Sequence, residues 1–103
     1  MRVAIVSRHE STRFLLRSLF DPRHGEIVEF DHIEKPEQLD DYDVAAGNIP
    51  LSLFLRTKCP NLLLVSLNVP RELRGKELGL DELKKYAEFV MIQKKFTFKR
   101  WAP

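Results

Sequence analysis

Short apolar runs typical of β-strands alternate along this chain with segments whose apolar residues recur every three or four positions, as in helices. This pattern predicts alternating strands and helices. The apolar run at 3–6 is typical of a short β-strand. Next come apolar residues at helical spacing, which are Phe14, Leu15, Leu16, Leu19 and Phe20. Ser11 is a suitable cap for this helix, and Pro22 ends it because the residue before a proline disfavours helical backbone. The first elements are therefore a strand followed by a helix.

The same order of elements repeats further along the chain. Segment 26–31 mixes apolar and acidic residues, and its acids indicate an edge strand with one side in water. Segment 43–47 predicts a third strand, and Pro50 occupies a favoured position in the first turn of a second helix at 51–57. The nearly continuous apolar run at 61–67 predicts a fourth strand that is buried on both faces, as interior strands of parallel sheets are.

The end of the chain is less regular. Asp81 is a suitable cap for a last helix, which we predict as far as Glu88. The apolar runs at 89–92 and 96–98 fit either a continuation of this helix or extended chain. Segment 93–103 forms a basic tail that also carries aromatic residues. This tail is set apart from the alternating elements that precede it.

Alternating strands and helices with short links indicate an α/β protein. We predict a four-stranded, mostly parallel sheet, and right-handed crossovers then place helices on both faces of it. The 103 residues, of which 44% are apolar and 31% charged, fit one globular domain spanning 1–103. A chain of this size leaves apolar surface exposed, and a self-complementary dimer is one way to cover it.

Several classes of protein are disfavoured by the composition. No stretch approaches the roughly 20 apolar residues needed to cross a bilayer, and the first apolar run is too short for a signal peptide, which predicts a cytoplasmic protein. The single cysteine, Cys59, forms no internal disulfide and is expected in the core. The three histidines are neither paired nor near the cysteine, so no metal or other cofactor is predicted. The Walker loop, the dinucleotide-binding glycine turn and the nucleophile elbow are absent, which argues against kinases, dehydrogenases and hydrolases of those kinds.

The net charge of +2 hides an uneven distribution of charge. Acidic residues concentrate at 26–43, whereas the tail at 93–103 is basic. The cations of the tail are Lys94, Lys95, Lys99 and Arg100, and its rings are Phe96, Phe98 and Trp101. Such a segment is able to stack the bases of single-stranded nucleic acid, although its rings more commonly cover a core or a subunit interface. The low net charge gives little support to general nucleic-acid binding, and no double-stranded DNA partner is predicted.

Polar turns follow three of the predicted strands. In open α/β sheets ligands bind beyond the carboxyl ends of the strands, where helix N-termini also favour anions. After the first strand, Arg8 is able to hold a phosphate through its planar guanidinium group, and His9 is able to carry a proton. After the third strand, Gly47 allows close approach of a ligand, and Asn48 both donates and accepts hydrogen bonds. A loop hydrogen bond for His9 and a plain turn at Asn48 explain the same residues.

The loop after the fourth strand holds three cations, Arg71, Arg74 and Lys76. Gly75 lies among them and allows the turn to fold around a phosphate. Glutamates next to these cations are able to neutralise part of the charge in local ion pairs. Because this loop begins at the same edge of the sheet as the other two polar turns, we predict one anion-binding site to which all three turns contribute.

Three segments at these strand ends resemble a known family of proteins. They are Val6-Ser-Arg-His9, Gly47-Asn-Ile-Pro-Leu-Ser-Leu53 and Val65-Ser-Leu-Asn-Val-Pro-Arg-Glu-Leu-Arg-Gly-Lys-Glu-Leu78. Their order and spacing over residues 1–86 are similar to those of the Csx-sixteen proteins, which are small accessory proteins of type III CRISPR loci. The chain departs from the family's pattern at Asn48-Ile49-Pro50, where Thr-Leu-Pro is common, and at Glu10-Ser11, where Pro-Gly is common.

The resemblance implies a Rossmann-like fold related to the CRISPR-associated Rossmann fold (CARF) domains, and a homodimer that binds a cyclic oligoadenylate across its two-fold axis. It also implies ring nuclease activity, in which a ribose 2′-hydroxyl attacks the adjacent phosphodiester without a metal ion and leaves 2′,3′-cyclic phosphate ends. Opening cyclic tetra-adenylate in this way switches off an antiviral signal. The resemblance assigns catalysis to Arg8 and His9. It assigns ligand binding to Asn48, Arg71 and Arg74, and less directly to Ser7, Ser11, Ser66 and Lys76.

Two other functions fit the same sequence. A non-catalytic binder of cyclic oligoadenylate, acting as a sponge or a sensor subunit, needs the same cations but no catalytic base. A receiver-like signalling domain is suggested by the first strand and helix, but receivers need an acidic pair after the first strand and a phosphoacceptor aspartate after the third. This chain has Ser7-Arg8-His9 and Gly47-Asn48 at those places, which disfavours phosphotransfer.

Overall fold

The computed structural model describes residues 1–95, in which five strands form one sheet. The strands are β1 (Arg2–Val6), β2 (Glu26–Phe30), β3 (Val44–Gly47), β4 (Asn61–Leu67) and β5 (Ala87–Gln93). They lie in the order β2-β1-β3-β4-β5, in which the first four strands are parallel and β5 runs antiparallel to β4. The chain is therefore an α/β protein with a mostly parallel sheet, compatible with a Rossmann-like fold. The predicted count of four strands is corrected to five.

Helices cover both faces of this sheet, as the sequence predicts. They are α1 (Glu10–Leu19), α2 (Leu51–Phe54) and α3 (Leu80–Lys85), and shorter 3-10 turns occupy Pro22–His24, Pro36–Leu39 and Arg71–Leu73. Leu16 of α1 clusters with Ile5 on one face of the sheet, and α3 lies against α1. Phe54 of α2 clusters with Ala4 and Val6 on the other face. Alternate residues of β1 thus enter two separate apolar layers, as the period of a strand requires.

The interior of the sheet matches the apolar patterns in the sequence. All four residues of β3 are buried, and so are residues 3–6 of β1. β4 lies between β3 and β5, so its predicted interior place is confirmed. Its predicted burial on both faces is wrong, because Leu62 is its only buried residue and Ser66 is exposed. β2 lies at one edge of the sheet, as its acidic residues predict. The carboxyl ends of the four parallel strands therefore meet at one edge of the molecule.

The structure corrects the end of the last helix. α3 ends at Lys85, and β5 begins at Ala87, where the sequence pattern predicts helix as far as Glu88. β5 pairs with the whole of β4, from Asn61 opposite Gln93 to Leu67 opposite Ala87. Without this partner the outer edge of β4 would expose a row of unpaired backbone groups. Strand pairing therefore overrides the helical spacing of this segment.

Two predicted helix caps are also wrong. α1 begins one residue before Ser11, with His9 as its N-cap and no side-chain hydrogen bond at the cap. α3 begins after Gly79, so Asp81 lies within its first turn. An acidic residue in the first turn still interacts favourably with the helix dipole. Neither Ser11 nor Asp81 supplies the capping hydrogen bond that its type suggests.

The second helix is shorter than the predicted span of 51–57. α2 stops at Phe54, and the chain continues to Thr57 in tighter turns. The Thr57 N–H group donates a hydrogen bond to the Phe54 carbonyl oxygen at 3.0 Å, and the Thr57 hydroxyl donates to the same oxygen at 2.8 Å. A threonine hydroxyl that bonds to nearby backbone competes with helix propagation. These bonds account for the early end of α2.

Cys59 is completely buried, as predicted, in the layer that contains Phe54 and Leu62. Burial raises the pKa of the Cys59 thiol, and the thiolate is the reactive form of cysteine. We therefore expect iodoacetamide at neutral pH to leave the folded protein unmodified while it modifies the protein fully in denaturant, as followed by mass spectrometry. Rapid modification of the folded protein would contradict the buried position of this thiol.

The basic tail predicted at 93–103 begins at the last residue of β5. Most of it, including Phe96, Phe98 and Trp101, lies outside the described residues. None of the helices within residues 1–95 has the length and apolar character that crossing a membrane requires.

Candidate functional site

The strand order reverses between β1 and β3. The chain passes from β1 to β2 on one side, and then crosses to β3 on the other side of β1. Connections that leave in opposite directions open a crevice beyond the carboxyl ends of the two strands, which is where ligands bind in open α/β sheets. Val6 pairs with Gly47 at these ends, so the turns that follow β1 and β3 start side by side.

A hollow of about 390 Å³ lies at this crevice, and we call it the switch-point hollow. Its polar lining comprises Ser7, Arg8, His9, Asp31, His32 and Asn48. Four of these six residues are candidates from the sequence, and they come from the ends of β1 and β3. The expectation that these two polar turns meet is confirmed.

The turn after β1 is held by its serine. Ser7 is buried, and its N–H group donates to the Phe30 carbonyl oxygen at 3.0 Å, which ties the turn to β2. The Ser7 Oγ accepts a hydrogen bond from the His9 N–H group at 3.1 Å. These contacts fix the backbone of the turn, while the side chains of Arg8 and His9 remain exposed. Ser7 therefore shapes the turn, and Arg8 and His9 are the groups that solvent and ligands reach.

The turn after β3 depends on a glycine. Gly47 has a φ of 123°, in a region that side chains disfavour, and a Cβ at this position would lie 2.1 Å from the Val6 carbonyl oxygen. The Asn48 N–H group donates to the same oxygen at 3.0 Å. The close approach predicted for Gly47 is thus made to the neighbouring strand. It leaves the Asn48 side chain exposed at the hollow.

Asp31 and His32 are site residues that the sequence pattern did not single out. They follow β2, and they line the same hollow as His9. The His32 Nε2 atom lies 3.1 Å from a Glu34 carboxylate oxygen, which orients the imidazole ring. Their position directly after β2 could have identified them. Residues that follow one strand of a parallel sheet lie near the residues that follow the neighbouring strands.

Arg13 connects α1 with the end of β2. Its guanidinium group donates to carboxylate oxygens of Asp31 and Glu10, each at 3.0 Å. The Arg13 Nε atom is buried and has no hydrogen-bond partner among the described residues. Arg13 therefore holds Asp31 in place on the wall of the switch-point hollow, and it engages the acidic residue that opens α1.

The remaining predicted residues do not join this hollow. Ser11, Arg74 and Lys76 line a second hollow of about 430 Å³, which we call the loop hollow, at α1, the end of β4, residues 73–78 and α3. The Arg74 Nε atom donates to the Val69 carbonyl oxygen at 3.2 Å. Ser66 and Arg71 are exposed and are not among the residues that line either hollow. The single anion site predicted from three turns is therefore divided into two hollows.

The described residues offer cations, imidazoles and amides to a ligand. Within residues 1–95, no three histidine, cysteine, aspartate or glutamate side chains come together as a possible metal site. Arginine and histidine side chains beside an uncapped helix N-terminus favour an anion with oxygen atoms, such as a phosphate. The fold and this hollow define the protein as an α/β protein with a candidate anion site at the strand ends. Comparison with protein-family models, with curated proteins and with solved structures finds no match.

Proposed function

We propose that this protein binds a cyclic oligoadenylate and opens the ring as a metal-independent ring nuclease of the Csx-sixteen type. Its action on cyclic tetra-adenylate would switch off type III CRISPR antiviral signalling. The proposal starts from the resemblance of three segments at the strand ends. The single structural observation that supports it is that Arg8, His9 and Asn48, which come from two of those segments, line one hollow.

The proposed reaction needs two proton transfers and a cation. The ribose 2′-oxygen attacks the adjacent phosphorus, so an O2′–P bond forms and the P–O5′ bond breaks. The 2′-hydroxyl loses its proton, and the leaving O5′ gains one, which leaves a 2′,3′-cyclic phosphate and a 5′-hydroxyl. Negative charge increases on the phosphoryl oxygens in between, and a fixed cation stabilises it. A side chain that moves a proton contributes about 10²- to 10⁴-fold to the rate of such a step.

The residues of the switch-point hollow supply these roles. Arg8 is placed to pair with the phosphate, and Asn48 to hold the ribose or the phosphate by hydrogen bonds. His9 carries one of the two protons. His32 is a second imidazole in the lining of the same hollow, and it is available for the other proton. The N-terminus of α1, which no side chain caps, adds N–H groups and a partial positive charge beside His9.

The proposal includes the CARF relationship and a homodimer. A ring bound across a two-fold axis would meet two copies of the switch-point hollow, because symmetry repeats every site. Each protomer would then catalyse cleavage of one phosphodiester bond, on its own side of the ring. The cytoplasm is the proposed location, where the signalling nucleotide would be found.

A second candidate function, ring binding without cleavage, is favoured by one observation. The imidazole of His9 makes no hydrogen bond or ion pair to any described residue, although its backbone N–H group is fixed by Ser7. A catalytic base is ordinarily oriented by a third group. A sponge or a sensor subunit needs only the cations. Turnover separates the two functions.

We expect purified protein in excess over labelled cyclic tetra-adenylate, in buffer with EDTA, to convert the ring to linear fragments in a single turnover. The fragments should end in 2′,3′-cyclic phosphate, and separation against synthetic standards identifies them. Ring binding without linear products would support the sponge or sensor. A protein that neither binds nor cleaves the ring would refute the proposal for this ligand.

A further inference from the structure

An aromatic ring is exposed on α1 at the wall of the loop hollow. Phe14 is 55% exposed, although its neighbours Leu15 and Leu16 are fully buried in the core. The floor around it is apolar and includes Leu73 and Leu78. Exposing a phenylalanine beside other apolar side chains costs free energy in water, and this arrangement is typical of a site that a flat apolar group covers. The volume of about 430 Å³ also lies within the range of small-molecule sites.

Charged groups surround this apolar floor. Arg74 and Lys76 are exposed on the loop, and Gly75 between them has a φ of 85° with open space around it. The bond from Arg74 Nε to the Val69 carbonyl oxygen holds the stem of that side chain and leaves its terminal NH₂ groups for a ligand. The two cations therefore stand beside an exposed aromatic ring. A ligand with a flat ring and a phosphate complements both parts.

Two acidic residues also line the loop hollow, and they do not cancel this complementarity. Glu10 is paired with Arg13 at 3.0 Å, which balances part of its charge although Arg13 also pairs with Asp31. Glu77 is exposed and follows Lys76 directly. A carboxylate oxygen accepts hydrogen bonds only, so Glu77 suits a ligand that presents an amino group. Adenine presents one at N6, next to its flat ring.

We propose that the loop hollow binds an adenine nucleotide, with its base stacked on Phe14 and its phosphate held by Arg74 and Lys76. The choice of adenine rests on the proposed function. Charge and shape both favour a nucleotide as the ligand. Its phosphate would pair with the two cations, and its base would cover the exposed Phe14 ring. Residues 7–9 of the switch-point hollow continue directly into Glu10 and Ser11 of the loop hollow. The two hollows are therefore joined through the turn that opens α1, and under the proposed function they would contact different nucleotides of one ring.

The test uses adenosine 5′-monophosphate with isotope-labelled full-length protein. We expect it to shift NMR signals of Phe14, Leu73 and Leu78, and ribose 5-phosphate to bind much more weakly because it lacks the base. Phe14→Leu keeps an apolar side chain but loses the stacking surface. We expect it to weaken binding of the nucleotide by about 5- to 150-fold, which is the range for one base stacked on a ring. Phe14→Tyr is the matched control and should retain binding, because the aromatic ring remains.

Several outcomes would overturn the inference. Equal affinity of the wild type and Phe14→Leu excludes stacking on this ring, provided that both variants unfold at similar temperatures. Signals that shift only around Arg8, His9 and Asn48 place the nucleotide in the other hollow. Equal binding of guanosine and uridine monophosphates removes the specificity for adenine. Cleavage of cyclic tetra-adenylate by the wild type is measured separately. If the wild type cleaves the ring but the nucleotide does not bind at Phe14, the subsite is wrong and the proposed function stands. If the nucleotide binds at Phe14 but the ring is not cleaved, the proposed function is wrong and the subsite stands.

Discussion

Replacing Gly47 with alanine is expected to destabilise the protein by about 3 kcal/mol or more, an effect of the size that backbone strain and core disruption produce together. Two causes add. The φ of 123° is unfavourable for any residue with a Cβ, and the new methyl group would lie 2.1 Å from the Val6 carbonyl oxygen. That oxygen belongs to a buried strand and cannot move aside like the end of a flexible side chain. Urea unfolding followed by circular dichroism measures the loss.

The matched control for this change is Gly75→Ala. Gly75 also has a positive φ, of 85°, but a Cβ there would have no neighbour within 4 Å. Only the backbone strain of about 1–2 kcal/mol is then expected. The difference between the two variants isolates the contact with β1. If Gly47→Ala lowers the free energy of unfolding by no more than Gly75→Ala does, β1 and β3 do not approach each other as closely at the switch-point hollow as described.

Replacing His9 with alanine is expected to lower single-turnover cleavage of cyclic tetra-adenylate by about 10²- to 10⁴-fold, the contribution of one proton-transfer group. Ring affinity should change little, because the exposed imidazole is proposed to act on the 2′-hydroxyl or the O5′ atom and not to hold a phosphate. His9→Gln keeps a hydrogen-bonding group of similar reach and should lose the same activity. Arg74→Ala should weaken ring binding, because Arg74 lines the loop hollow, whereas Arg71 lines neither hollow and Arg71→Ala should have the smaller effect. Unchanged cleavage by His9→Ala would remove His9 from the mechanism.

The same assay assigns the two imidazoles to the two protons. A ring in which sulfur replaces the leaving O5′ atom needs no proton at that atom, because a thiolate leaves readily. The variant that lacks the general acid should recover cleavage of this substrate, and the variant that lacks the general base should not. His32→Gln is the comparison for His9→Gln. If neither variant is impaired on the normal ring, the hollow holds no acid–base pair.

Interior strands of the sheet could be predicted from the sequence with good bounds. Segment 61–67 is predicted and observed as β4, because interior strands of parallel sheets require continuous apolar residues. For β5 the sequence left the run at 89–92 open between helix and extended chain, and the structure shows the extended alternative. Residues Phe89, Val90 and Met91 are exposed, and Ile92 is only partly buried against the core. The strand therefore lacks the regular alternation of buried and exposed residues that a sequence pattern would show. Only the unpaired edge of β4 explains why this segment is extended.

The candidate site was predicted in part. Arg8, His9 and Asn48 meet as expected, because they follow parallel strands and the ends of parallel strands share one edge. The place of Asp31 and His32 in the same hollow depends on β2 lying beside β1, which the sequence pattern does not state. Ser11 lies in the first turn of α1 and in the lining of the loop hollow, and not at a cap, because the N-cap is His9, two residues before Ser11.

The sequence by itself determined the alternation of strands and helices, the interior place of β4, and the polar residues at the strand ends. These follow from local periodicity and from the cost of burying polar groups, which act on each segment separately. Only the tertiary structure decided the order of the strands, the addition of β5 and the division of the cations between two hollows. These three features depend on contacts between segments that are far apart in the sequence. Such contacts produce no local pattern of residues from which they could be predicted.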